Sequence, residues 1–165
     1  MGHDPVPSKA AIKGHPLHPV LIPFPIAFGT AAVFTDVAYW ITDSHTWAAA
    51  SAWLLWTTLV SGVLAGAVGA VDYFGIEHVR AHRTATQHGA GNVIALLLVL
   101  VNASIRVPDL EEVVVPWGVA LSLITAAILG LTGYLGGELS YKHLIGANPG
   151  QTEPESPLLG SRRDG

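Results

Sequence analysis

Residues 47–74 read WAAASAWLLWTTLVSGVLAGAVGAVDYF, and Asp72 is the one charged residue in that stretch. Crossing the hydrocarbon core of a bilayer takes about 20 predominantly apolar residues as a helix. This run is long enough, and three comparable runs surround it, at 19–41, 89–105 and 113–141. The third is the shortest but is densely apolar, with no polar residue from Val93 to Val101. A soluble four-helix bundle would need charged outer faces on its helices, and these runs have none. The expected fold is all-α: an integral membrane bundle of four transmembrane helices at about 19–41, 47–74, 89–105 and 113–141.

Composition agrees with that reading. The chain has 165 residues, enough for one domain. Half of its residues are hydrophobic and 12% are charged, where a soluble domain has about one quarter charged. A formal charge of −4 gives no basic surface for nucleic acid. The absence of cysteine excludes disulfides, thiolate metal sites, cysteine-ligated iron–sulfur clusters and covalent haem attachment. No cleavable signal peptide is evident, and the first apolar run is expected to serve as the insertion signal. The polar stretches 1–13 and 146–165 are expected to be disordered tails around a transmembrane domain at 14–145.

Four crossings bring both termini and the 75–87 connection to one side. Lys9, Lys13, Arg80, Arg83, Lys142, Arg162 and Arg163 then share that side, and Arg106 alone lies on the other. Positive charge accumulates at the cytoplasmic face. The expected location is the bacterial cytoplasmic (inner) membrane, with both termini inside. Trp40, Trp47, Trp53, Trp56 and Trp117 fall near the opposite ends of the helices, as an interfacial aromatic belt would.

Helical spacing shows which faces turn inward. His88, Asn92, Asn102 and Arg106 form one stripe on the third run with Ala95 and Val99. Such a polar stripe belongs in the bundle interior, because polar groups facing lipid are expensive. Asp36 on the first run is expected to meet Arg106 as a buried structural ion pair. The small residues Ser61, Gly62, Ala65, Gly66 and Gly69 mark a packing face on the second run, and Gly130, Gly133 and Gly137 mark one on the fourth.

Histidine is the unusual residue, with eight copies. His15, His18, His78, His82, His88 and His143 gather at the end that holds the termini; His45 lies at the other end and His3 in the tail. His78 and His82 have the i, i+4 spacing of a metal pair, against the plainer reading of a solvated connector. His18, Asp72, His88, Glu138 and His143 come from all four helices and could converge at one level. Neutral imidazole ligates haem iron or a divalent metal ion, and a carboxylate can hold the second ring nitrogen. The plainer alternative is a hydrogen-bonded polar cap on the bundle.

The segments GHPLHPVLIPFPIAFGTAAVFTD, GAVGAVD, QHGAGN and GYLGGELSYKHLIG resemble the bacterial four-helix membrane protein family known as domain of unknown function 2231. The resemblance rests on His18-Pro19, Phe24-Pro25-Ile26, Asp72, His88, Gly136-Gly137 and Tyr141-Lys142-His143. It implies the four-helix membrane fold. Members fused to Rieske-type iron–sulfur domains imply a redox setting.

Three readings follow. In the leading one the protein binds b-type haem or a metal for electron transfer. Pairs among His18, His88 and His143 supply the ligands, Tyr134 and Tyr141 contact the cofactor or a quinone, and a Rieske-type protein is a candidate redox partner. In the second, His15, His18, Asp72, His88, Glu138 and His143 form a site for an ion, metal or proton. In the third, the chain is an interaction subunit without cofactor. The lipid bilayer is a partner in all three, an oligomer stays open, and no hydrolytic nucleophile is recognisable.

Overall fold

A computed structural model describes residues 5–147. The chain runs β1 (Ala11–Ile12), β2 (His15–Pro16), α1 (Leu17–Leu21), α2 (Pro23–Thr42), α3 (His45–Gly75), α4 (Glu77–Ala81), α5 (Arg83–Ile105) and α6 (Val119–Tyr141). An irregular turn over Val114–Gly118 precedes α6, with Val115 extended at φ −115° and ψ 127°. Four segments are long and apolar enough to cross a membrane: Leu17–Thr42, His45–Gly75, Arg83–Ile105 and Val114–Tyr141. The protein is an all-helical four-span membrane bundle.

The helix ends follow from local chemistry. Pro23 and Pro25 sit in the first turn of α2, where a missing N–H costs nothing. The break between α1 and α2 is shallow, because Ile22 keeps helical φ and ψ and its N–H still reaches the His18 carbonyl. Asp43 ends α2 in the left-handed region at φ 51°, a conformation that aspartate tolerates better than most residues. Between α5 and the irregular turn, the Asp109 carboxylate accepts the N–H groups of Glu111 and Glu112. These two bonds hold its pKa below the ordinary carboxylate value.

The interior is mostly small and polar residues, with a few larger ones such as Leu55, Val99 and Val114 among them, and most of the large apolar side chains point outward. Ala32, Ala48, Ala52, Ala65, Ala95 and Ala103 are buried, together with Ser51, Thr58, Ser122, Thr125 and Thr132. Phe34, Ile41, Val60, Leu97 and Leu131 are exposed, as are all five tryptophans. Lipid tails are as apolar as leucine, so burying leucine between helices gains little in a bilayer. Close backbone approach and interhelical hydrogen bonds hold the helices instead.

The strongest of those bonds surround Arg106. Its guanidinium grips Asp36 through both nitrogens, Nη1 to Oδ1 at 2.8 Å and Nη2 to Oδ2 at 3.0 Å. Ser51 and Ser122 donate to the two Asp36 oxygens at 2.5 and 2.6 Å. The Asn102 carbonyl oxygen accepts from Arg106 Nε and Nη2, while its amide donates to Ser122 and to the Gly118 carbonyl. Asp36 and Arg106 are fully buried. A Cβ on Gly118 would stand 2.5 Å from Arg106 Nη2, so the guanidinium occupies the space a side chain there would need. The network joins α2, α3, α5 and α6.

Two sequence expectations change. Residues 5–13 are built into the fold, and so are Gly146 and Ala147; residues 1–4 and 148–165, with His3, lie outside the described residues. Val6 forms a parallel bridge with Ile145, and β1 pairs antiparallel with β2. Polarity had suggested a tail, but here the polar groups are spent on specific partners. In addition, α5 begins at Arg83 rather than at 89. The apolar run marks only the part in lipid, and RTATQ continues the helix beyond it.

Arg106→Leu should destabilise the protein by about 3–5 kcal/mol, because it leaves Asp36 charged and unpaired in the core. Denaturation of the detergent-solubilised protein measures this. The Asp36→Leu/Arg106→Leu double variant should lose much less than the sum of the two single changes.

Candidate functional site

The histidines separate into two groups. His18 on α1 and His88 on α5 face each other, with ring centres 6.1 Å apart and planes at 87°. His78, His82 and His143 make a second run at the connections, with ring centres 4.7 Å apart for the first pair and 4.5 Å for the second. The expectation that His143 joins His18 and His88 is therefore not met: His143 follows the end of α6 and lies against His82.

Each ring of the central pair is held the same way. His18 Nδ1 is 2.8 Å from the Ala65 carbonyl, and His88 Nδ1 is 2.8 Å from the Thr132 carbonyl. A carbonyl oxygen only accepts, so each Nδ1 carries the proton and donates it. Each Nε2 is left with its lone pair, the form of imidazole that binds a metal. The rings lie against helix backbone. A Cβ on Gly69 would come within 2.8 Å of the His18 ring, and one on Gly136 within 3.0 Å of the His88 ring. The Asn92 amide nitrogen approaches His88 Nε2 at 3.1 Å and also meets the His88 carbonyl, and the Thr132 hydroxyl donates to Asn92 Oδ1 at 3.0 Å. Both rings are half-buried.

The other candidate residues are engaged elsewhere. Asp72 accepts from the Ser8 hydroxyl at 2.6 Å and from the backbone N–H groups of Lys9 and Ala10 at 2.7 and 3.1 Å. It anchors the N-terminal segment to the end of α3. Glu138 pairs with Lys142 one helical turn on. Their hydrogen bond holds the Lys142 ammonium above its usual pKa. Tyr134 and Tyr141 are 70% and 86% exposed and point out of the bundle, which corrects their expected contact with a cofactor beside the histidines. On α6, residues 134 and 141 are two turns apart on the face opposite buried Thr132 and Leu139, so the helix turns them outward. His15 is exposed in β2, near the Lys13 carbonyl, and His45 pairs with Glu111 at the far end. Tyr73 meets Thr86 through hydroxyls 2.9 Å apart.

Sequence reasoning did not identify Thr132 or the Ala65 carbonyl as partners of the site. Backbone acceptors leave no residue-type signal. Gly69 was visible only as a member of the small-residue face of the second run, indistinguishable there from Gly66, and Gly136 only in the Gly136-Gly137 pair of the resemblance; the missing Cβ of Gly66 or of Gly133 would meet nothing within 4 Å.

Four spans around a polar interior, with imidazoles paired at one end and a charged pair at the other, define a multi-pass helical membrane protein. The chain belongs to the family described as predicted membrane protein, domain of unknown function 2231, whose family model matches residues 14–149. No curated protein and no solved structure matches it.

Asp72→Ala should release residues 6–12 and leave the spans in place. The backbone amides of Lys9 and Ala10 should then exchange with deuterium far faster than in the unaltered protein, while protection in α3 and α5 stays unchanged.

Proposed function

We propose that His18 and His88 hold the iron of one b-type haem and that the protein transfers electrons in the membrane. The spacing of the two rings is the observation that carries this. A metal–imidazole bond of about 2 Å puts the centres of two imidazoles on opposite sides of one ion roughly 6–6.5 Å apart. The observed 6.1 Å fits, and both rings are in the tautomer that offers Nε2. Fixing Nδ1 on a carbonyl orients each ring and raises its basicity as a ligand.

The donor set favours haem over a bare ion. Among the described residues no set of three or more His, Asp or Glu could hold a metal. A pair of imidazoles suits an iron whose other four positions are filled by a macrocycle. Bound there, the haem would supply reversible one-electron reduction. The chain's own part is to fix two neutral imidazoles, to keep Asp36 and Arg106 locked at the far end, and to turn the Asn92 amide away from His88 Nε2 when that atom takes a ligand. We place the histidine end at the cytoplasmic face of a bacterial inner membrane, on the strength of Lys9, Lys13, Arg80, Arg83 and Lys142 at that end. A quinone or a Rieske-type protein is the partner class that a redox role calls for.

Detergent-purified protein, expressed with ample haem, should show a Soret band and sharp α and β bands on dithionite reduction. His18→Ala and His88→Ala should each abolish the low-spin spectrum, and His143→Ala should leave it intact. A colourless protein that binds copper or zinc only with both histidines present would replace haem by a bare ion. A colourless protein indifferent to metals would end the ligand reading.

A further inference from the structure

The buried positions of the two helical hairpins follow one pattern. In α2 they include Pro25, Gly29, Ala32 and Asp36. A shift of about 70 residues lands on Ala95, Val99, Asn102 and Arg106, all of them buried. In α3, Ser51, Ala52, Thr58 and Ala65 are buried. A shift of about 67 residues lands on Gly118, Val119, Thr125 and Thr132, again buried. The same two shifts carry His18 onto His88, its carbonyl acceptor Ala65 onto Thr132, and Gly69 onto Gly136. The packing closes the pattern: α2 lies on α3 as α5 lies on α6, and the pairs meet as α3 on α5 and α2 on α6.

We infer that the chain is a tandem repeat of one histidine-bearing hairpin, its halves related by a pseudo-twofold axis along the membrane normal. We further infer that Gly69 and Gly136 are equivalent positioning residues. The histidine pair and the ion pair both join equivalent positions of the two halves. At the ion pair the halves carry opposite charges, so each half matches the other and would repel a copy of itself. At the histidine pair they carry the same imidazole, held by the same device. The carbonyl accepts Nδ1–H, and the glycine one turn later leaves the space in which the ring lies. A glycine in a helix interior sacrifices helix propensity, and at these two positions the ring occupies the space where a Cβ would stand. The repeat stands on burial and packing; the role of the glycines rests on the reading of His18 and His88 as the site.

The test uses the full chain without haem, in detergent, with thermal unfolding and histidine ¹⁵N spectra. Gly69→Ala should lower Tm when His18 is present and have no such effect in His18→Ala protein. Gly136→Ala should depend on His88 in the same way. Gly66→Ala and Gly133→Ala, equivalent to each other but clear of any ring, should lower Tm in neither background. In the spectra, Gly69→Ala should disturb the Nδ1–H tautomer of His18 alone, and Gly136→Ala that of His88 alone. If Gly69→Ala or Gly136→Ala fails to fold until the facing histidine is removed, the inference stands. It is overturned if the loss is the same with and without that histidine, or if neither background folds. It is equally overturned if the ring signals are unchanged. Because no haem is present, a colourless protein that passes these tests would lose the haem reading and keep the positioning device.

Discussion

Arg106 and Asp36 set the terms for the rest of the bundle. A guanidinium in the hydrocarbon region is tolerated only when every N–H group finds an acceptor. Here five of its contacts go to Asp36, Asn102 and Ser51, drawn from three helices. Satisfying them fixes the depth of each helix relative to the others, and the Gly118 backbone must approach closely enough to complete the enclosure. Helix register in a bilayer is otherwise weakly specified, because sliding one apolar helix along another changes little. The charged network supplies that register, and it carries the distant histidines to the same level.

Much of this was legible in the sequence, for a physical reason. Lipid selects against charge so strongly that the four spans, with Asp72 as the one charge in a run of 28 residues, could be found by composition. The polar stripe through Asn92, Asn102 and Arg106 pointed inward because no other direction is affordable. His18 and His88 were legible as two imidazoles at one level, and Asp36 with Arg106 as a pair at the other. The partners that these side chains touch were not. Whether Asp72 faces the bundle or the chain's own N-terminal segment depends on Ser8 and two backbone N–H groups some 60 residues away. Tyr134 and Tyr141 were expected at a cofactor or quinone, but they lie on the face of α6 opposite buried Thr132 and Leu139, which is turned outward. Small residues occur both where helices touch and where nothing stands, and Gly69 and Gly66 look alike in one dimension.

The two hairpins keep His18 and His88, Thr58 and Thr125, Gly66 and Gly133, and Gly69 and Gly136 at equivalent places while sharing little other sequence. What persists is the burial pattern and the way a ring is seated. Thr58 and Thr125 show the same economy: both are buried at equivalent positions, yet Thr58 gives its hydroxyl to the Leu54 carbonyl, and Thr125 has no partner among the described residues.

The bridge between Val6 and Ile145 ties the two ends of the described chain side by side. A domain joined directly at Val6 or at Ile145 would therefore hang from the same corner of the bundle. A circular permutant joined from Ile145 to Val6 would keep all four crossings.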